Sequence, residues 1–563
     1  MSFTRASRHD RTWRWALAGL MVLAMFSAGI RVWREPNIGS DALLYLIPIH
    51  NLVAGQGYSY LGEPHLLMPP GYGLLAYVVF LVVRDVELSG MIVSAASAVL
   101  VIPIVFSIVT RLAAERAGWI GAFLVTVWPT MIKYAHINYS DLAFTLFLVL
   151  SARLYLAIVL DAATPLRCLL LAVALGFGCL IRPEGAPVAV LAVASLLVLP
   201  RHSPSRAERG RLRPSLQRLA RAAATGLMIV MVASPYLWFL HRETGRWTLS
   251  TKLGVNLLMG EGVVDGDAVL EQRMAEEGEK TDPVDLLGYL RGQGSRMGIR
   301  IWRNAVMEAG QLVKITLHGL LLLAVVGAFA VRRIGPTRVW QVARGAWTLE
   351  ALVMIAVFVS PLPVYLLFYV WDRYLLPYAV FALAAIAVVA GAWLDAMERD
   401  SRGSRAVVAI PLTVGIGVAV IALLLPIRPP WPSLPAELTR PHAHRGLRAA
   451  GLWLAGSGAM IDEITVWAPG KGDVVLFYAS GEAEPRGHQR KVLSTMTLKD
   501  VVDQMDATRP AYLVVDSHYG STKPNLWRLW TEAALAERVG LRLVFEAKDG
   551  SVRVFDRQPK GGS

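Results

Sequence analysis

Apolar runs of about twenty residues, broken by short polar turns, fill most of the first 426 positions of the chain. A helix needs roughly 20 apolar residues to cross the hydrocarbon core of a bilayer. Runs at 13–32, 88–110, 118–134, 141–160, 166–181, 185–199, 219–240, 312–331, 348–370, 374–394 and 405–426 predict about eleven transmembrane helices. A twelfth run, 71–83, is shorter and follows Pro69-Pro70. Runs of 10–14 apolar residues suit a re-entrant or interfacial helix. The pattern changes after residue 426. A proline-rich exit, Arg428-Pro429-Pro430-Trp431-Pro432, precedes three short β-like runs, 474–478, 511–515 and 541–545. Helical patterns at 443–456, 498–507 and 525–537 separate them, so 427–563 reads as a small soluble α/β domain. The expected fold is thus an α-helical polytopic membrane domain, 1–426, followed by this external domain.

Composition agrees. Of the 563 residues, 55% are hydrophobic and 17% charged, against about 25% charged in an ordinary soluble domain. The mean hydropathy is +0.47. Cys168 and Cys179 lie in one apolar run and give neither a disulfide framework nor a zinc cluster. The net charge of +14 would suggest nucleic acid in a soluble protein. Here the basic residues sit in short loops between apolar runs, the positive-inside pattern, and nucleic acid is set aside.

Those loops also set the topology. Arg5, Arg8, Arg11 and Arg14 place the N-terminus in the cytoplasm, and 200–221 carries seven arginines against Glu208. Loops at 111–117 and 332–344 are basic as well, and 395–405 mixes signs but includes Arg399, Arg402 and Arg405. All fall on one side only if 71–83 does not cross. The first run is followed by Arg31, Trp33 and Arg34 rather than a cleavage pattern, so it reads as a retained span. The loops 33–87 and 241–311 and the domain 427–563 then lie on the external, periplasmic face of a bacterial cytoplasmic membrane. Loop 241–311 is acid-rich between Glu261 and Glu279.

The candidate chemistry collects on that face. Asp41 follows the first span among apolar neighbours, with Tyr45 one helical turn on. A carboxylate held at the headgroups is partly desolvated and more basic. Glu63 and His65, ahead of Pro69-Pro70, offer two ligands to a divalent metal ion or a phosphate, without a third. Asp141 opens the fourth span, where an acid complements the helix dipole or faces the same external cavity as Asp41. Arg182 and Glu184, in Arg182-Pro183-Glu184-Gly185, are interfacial charges, functional by default or paired with each other. Arg373 either grips a phosphate or pairs with Asp372. Lys252 is a further external cation.

In this order these pieces resemble the GT-C glycosyltransferases, in particular the branch of the protein O-mannosyltransferases and lipid A aminoarabinose transferases. The matching pieces are Asp41 with Tyr45, the Pro69-Pro70 turn, Asp141, Arg182-Pro183-Glu184-Gly185 and Arg373-Tyr374-Leu375-Leu376-Pro377, and they cover about 15–400. The resemblance implies transfer of a sugar from a polyprenyl-phosphate donor to a glycan, lipid or protein hydroxyl. It implies Asp41 as general base, Asp141 as a second acidic position that orients the acceptor or a cation, and Arg373 on the lipid phosphate, helped by Lys252 or Arg182. Tyr45, Glu63, His65, Glu184 and Tyr374 would support them. Relatives often carry a charged residue or histidine directly before the proline turn, whereas this chain has Met68. Two other readings share the polytopic pattern: a transporter or flippase of a lipid-linked substrate, and a ligase or polymerase of whole polysaccharide chains. The first predicts a polar pathway across the bilayer and often repeated halves, and the sequence shows neither.

Overall fold

The computed structural model describes residues 6–34, 38, 40–161, 163–198, 214–252, 256–257, 286–367, 371–401, 406–424, 444–458, 460–469, 471–481, 487–492, 496–517 and 524–557. The arginine-rich stretch 201–213, the acidic run 261–279 and the proline-rich exit 428–432 lie outside the described residues. In chain order the helices begin with α1 (Ala6–Arg34) and α2 (Ser40–Val53). The hairpin β1 (Ser59–Tyr60) and β2 (Glu63–Pro64) comes next, then α3 (Gly71–Val83), α4 (Val86–Leu112), α5 (Glu115–Thr126) and α6 (Pro129–Tyr134). They continue with α7 (Ser140–Leu156), α8 (Pro165–Ile181), α9 (Gly185–Val198), α10 (Pro214–Thr244) and α11 (Leu286–Ile334). After these come α12 (Pro336–Gly345), α13 (Leu349–Val359), α14 (Asp372–Asp400) and α15 (Ala406–Leu424).

Packing divides the chain into two compact units. One comprises Met1–Arg31, Ile92–Leu249 and Ser295–Trp431, the other Val32–Met91, Ser250–Gly294 and Pro432–Ser563.

The first unit is helical. Among the described residues six helical segments are long and apolar enough to cross a membrane: Val86–Leu112, Ser140–Asp161, Leu216–Thr244, Met297–Ile334, Leu349–Leu367 and Asp372–Asp400. Other expected spans form shorter apolar helices at Trp15–Ile30, Pro165–Ile181, Gly185–Val198 and Ala409–Val418. The run 118–134 is broken between α5 and α6 because Pro129 has no N–H to continue the ladder. Large apolar side chains such as Phe26, Val190, Leu227 and Val230 are exposed, as expected of an integral membrane protein facing lipid rather than water.

Helices α7 and α14 are the innermost, with 72% and 78% of their apolar windows buried. Close approach fixes them. A Cβ on Gly391 of α14 would stand 2.5 Å from the Ala117 Cβ of α5, so small residues let these helices meet as membrane helices do. Helix α14 is polar at both ends and apolar between. At its C-terminal end Arg116 bridges Asp395 and Glu398, both at 2.6 Å. At its N-terminal end lie Asp372 and Arg373.

The second unit joins α2, the hairpin and α3 to the C-terminal domain. Helix α3 fills the short apolar run 71–83 as a 13-residue helix. The domain contains α16 (His444–Gly456), β3 (Thr465–Ala468), α17 (Gly472–Ala479), β4 (His488–Lys491), α18 (Leu498–Ala507) and β5 (Ala511–Asp516). It ends with α19 (Pro524–Thr531), α20 (Ala533–Arg538), β6 (Leu541–Glu546) and β7 (Val552–Arg557). The sheet order is β4-β3-β5-β7-β6. Strand β3 pairs in parallel with β4 and β5, while β7 is antiparallel to β5 and β6. Trp467, Met505, Leu513, Leu541 and Phe555 form its core. The run 474–478, expected as a strand, is helix α17. All of its residues from Gly472 to Ala479 are buried, and an apolar run covered on every side has no periodicity to separate strand from helix.

Candidate functional site

Each unit carries a cluster of the expected residues. In the first unit the cluster sits at the N-terminal ends of α7 and α14. The α8 helix ends at Arg182, whose extended backbone turns the chain into Pro183-Glu184. Arg182, 6% exposed, pairs through its guanidinium with Asp141, which is 2% exposed. Its other arm donates to Glu184 Oε1 at 3.0 Å. Tyr365 Oη donates to the same carboxylate oxygen at 3.1 Å. One buried cation is thus balanced by two carboxylates. Asp141, expected as an external acid, and Arg182, expected on the lipid phosphate, are each other's partners.

Tyr374 links this network to Arg373. Its ring stacks on Tyr365 with centroids 5.3 Å apart. It lies 5.2 Å from the Arg182 guanidinium and 5.1 Å from that of Arg373. Arg373 also stands 4.5 Å over Tyr139 and 5.4 Å from Trp371. Three aromatic rings therefore hold a planar cation whose fork suits phosphate oxygens. Asp372 is engaged elsewhere: it accepts from Tyr134 Oη at 2.6 Å and from Lys133 Nζ at 2.9 Å.

The second cluster is built on α2 and α3. Asp41 lies in the first turn of α2 and is half-buried. Tyr45, one turn on, is 6% exposed and meets Tyr72 of α3 edge to face at 5.5 Å. A Cβ on Gly73 would come within 2.2 Å of the Tyr45 carbonyl oxygen. The close seating of α3 on α2, and with it the position of Asp41, depends on that glycine.

The proline turn is fastened from two sides. Tyr58 Oη donates to the Met68 carbonyl at 2.7 Å. Met68 N–H donates to His65 Nε2 at 3.3 Å, so His65 is neutral at this nitrogen. Burial first, and the nearby Lys252 charge second, lower its pKa to about 3. From the other side Ser250 Oγ donates to Leu67 O at 2.6 Å, and Lys252 Nζ reaches Met68 Sδ at 3.4 Å. The cation absent from position 68 in sequence is thus brought to the turn from a distant segment. Glu63 is exposed on the hairpin while His65 is 1% exposed. Among the described residues no group of three His, Cys, Asp or Glu side chains converges as a metal site.

The same unit holds a cleft of about 1160 Å³ between α2, the end of α3 and the C-terminal domain. His50, Asn51, Arg84, Asp85, His488 and Arg490 contribute its polar lining. Sequence reasoning missed this cleft, because its walls lie roughly 400 positions apart in the chain.

The family model described as dolichyl-phosphate-mannose-protein mannosyltransferase matches residues 68–239. No curated protein matches the chain. Among solved structures, ArnT from Cupriavidus metallidurans bound to undecaprenyl phosphate has a TM-score of 0.50 at 14% identity, covering 97% of this chain and 98% of that one. The oligosaccharyltransferase AglB from Archaeoglobus fulgidus, in complex with an inhibitory peptide and a dolichol-phosphate, has a TM-score of 0.53 at 12% identity, covering 99% of this chain and 75% of that one. At such identities the likeness is one of fold. The fold is thus that of the GT-C integral-membrane glycosyltransferases, and the family model matches 68–239 within it.

Proposed function

We propose that the chain transfers a sugar from a polyprenyl-phosphate donor to an acceptor hydroxyl, with inversion, on the external face of a bacterial cytoplasmic membrane. The observation that carries this reading is Arg373: a guanidinium held by three rings at the head of the most buried of the six membrane-length helices among the described residues, beside an aspartate engaged by Lys133 and Tyr134. A fixed cation of that kind suits a lipid phosphate. The two solved relatives, bound to undecaprenyl phosphate and to a dolichol-phosphate, support the same donor class.

In the proposed reaction Asp41 accepts the proton of the acceptor hydroxyl. The hydroxyl oxygen forms the new bond to the anomeric carbon as the bond from that carbon to the phosphate oxygen breaks. Polyprenyl phosphate leaves with the bonding electrons, and Arg373 stabilises its charge. Lys252, at the proline turn, is assigned to the same anion. Arg182 keeps Asp141 and Glu184 in place. The C-terminal domain is assigned to acceptor docking through the cleft, which is somewhat larger than the usual small-molecule site and has room for a sugar-bearing acceptor.

The test is transfer from labelled polyprenyl-phosphate sugars in membranes holding the wild type or Asp41→Asn. Asparagine keeps the size and removes the base. Loss of roughly 100-fold or more supports the reading, and equal transfer by the two proteins removes Asp41 from the mechanism.

A further inference from the structure

Helix α11 is amphipathic in the reverse sense of a soluble helix. Ile299, Trp302 and Val313 are exposed, at 70%, 72% and 38%. Arg300, Asn304, Glu308, Gln311 and His318 are buried, at 2%, 0%, 8%, 8% and 2%. Spacings of four, four, three and seven residues put these five polar groups on one face. Lipid-facing apolar residues and an inward polar stripe mark a membrane helix that lines something polar, because ionisable groups at that depth are costly unless used.

Part of the stripe is satisfied within the protein. His318 Nε2 lies 3.1 Å from Leu124 O, and Asn304 Nδ2 donates to Leu366 O at 3.0 Å. The second bond brings α11 against the turn that carries Tyr365 and hence Glu184. Glu308 and Gln311 are different. Glu308 Oε2 and Gln311 Oε1 are buried and have no hydrogen-bond partner among the described residues. Glu308 lies in electrostatic reach of Tyr378, whose ring is 6.2 Å from that of Tyr365. Glu308 thus lies near the Arg182–Glu184–Tyr365 network, and Gln311 follows it one helical turn on along the same face of α11.

A buried acceptor left unpaired costs free energy that a hydrogen-bonded one does not. The chemistry of these atoms limits what can satisfy them. A phosphate is anionic and accepts hydrogen bonds, so the Glu308 carboxylate repels it and leaves the Gln311 oxygen unsatisfied. A sugar ring offers hydroxyl donors. We infer that Glu308 and Gln311 hold the hydroxyl groups of the donor's sugar and so select which sugar is transferred. This assignment rests on the transferase reading above.

The experiment uses the full chain in lipid nanodiscs, as wild type, Glu308→Gln, Glu308→Asp and Gln311→Leu. Two quantities are measured: binding of undecaprenyl phosphate, which carries no sugar, and transfer from polyprenyl-phosphate-linked pentoses and hexoses, including monodeoxy forms of the sugar the wild type transfers. Glu308→Gln is expected to bind undecaprenyl phosphate within about twofold of wild type and to lose about 10- to 100-fold in kcat/KM, the worth of a hydrogen bond to a charged group. That loss is expected to shrink to near zero on one monodeoxy donor, the one lacking the contacted hydroxyl. Glu308→Asp is expected to fall between.

Unchanged transfer by Glu308→Gln overturns the inference. So does an equal loss on every deoxy donor, or a loss of undecaprenyl phosphate binding as large as the loss of transfer. If Glu308→Gln does not fold, Gln311→Leu carries the same comparison. A wild type that transfers none of the sugars overturns the transferase reading and this inference with it, whereas transfer with Glu308→Gln and Gln311→Leu both intact overturns the inference alone.

Discussion

Replacing Arg182 by methionine keeps the length of the side chain and removes its charge. Asp141, at 2% exposure, and Glu184 then share a buried pocket with no guanidinium between them. Solvent screens this site little, since the Arg182 and Asp141 side chains are only 8% and 3% exposed. Removing one partner of a buried ion pair costs about 3–5 kcal/mol, because the remaining charge is uncompensated. That corresponds to a factor of roughly 10² to 10⁴ in the folding equilibrium. The assay is the unfolding midpoint of the detergent-solubilised protein, with Arg182→Met set beside the triple variant Arg182→Met/Asp141→Asn/Glu184→Gln. The triple variant carries no stranded charge, so its midpoint is expected to recover most of the loss. Arg182→Lys should fall between, because a point ammonium cannot serve two carboxylates as a planar fork does. An unchanged midpoint for Arg182→Met would refute the reasoning, as would a triple variant no more stable than the single one.

Gly73→Ala places a Cβ 2.2 Å from the Tyr45 carbonyl oxygen and 2.7 Å from Ile49 Cγ1. Overpacking of this kind costs about 1–3 kcal/mol, so faster hydrogen exchange in α2 and reduced transfer are expected. Arg373→Lys keeps the charge and loses the planar stack on Tyr139 and Tyr374, so undecaprenyl phosphate binding should weaken about tenfold, measured by titration in nanodiscs. His65, with its folded pKa lowered to about 3 from 6.5, takes up its proton more readily when unfolded. Its contribution to stability is complete above about pH 6.5 and falls by about 1.4 kcal/mol per pH unit towards pH 3. Hydrogen exchange of the β1–β2 hairpin should rise across that window, and His65→Gln should flatten the rise.

Much of the helical layout was legible because span length and apolar runs are strong signals. The run 71–83 stood out as a short helix by length alone, and Asp41, Asp141, Arg182 and Arg373 by being charged beside apolar runs. Partnership was less legible. Nothing in the order of residues says that Arg182 reaches back to Asp141, 41 positions earlier, or that Lys252 crosses 184 positions to Met68. The stripe from Arg300 to His318 was hidden because 241–311 reads as a loop. Charged residues lower its mean hydropathy, and the helical signal lies in the spacing 300, 304, 308, 311. In the C-terminal domain β3 and β4 were passed over as four-residue segments, and β7 because charged Arg553, Asp556 and Arg557 interrupt its apolar run. Helix α17 was mistaken for a strand for want of a polar face.

The second unit is assembled from three distant stretches of chain, with α17 seated against α2 and Tyr478 Oη donating to Glu87 Oε2 at 3.0 Å. During synthesis its first stretch is complete about 340 residues before the last begins. At ribosomal speeds that interval is on the order of 20–70 s. For that time the segment bearing Asp41 has left the ribosome without the domain that completes its fold. Order of synthesis thus makes the C-terminal domain a late-arriving clamp as well as a wall of the cleft. Cutting it away would disturb Asp41 even in a protein whose acceptor needs no docking surface at all.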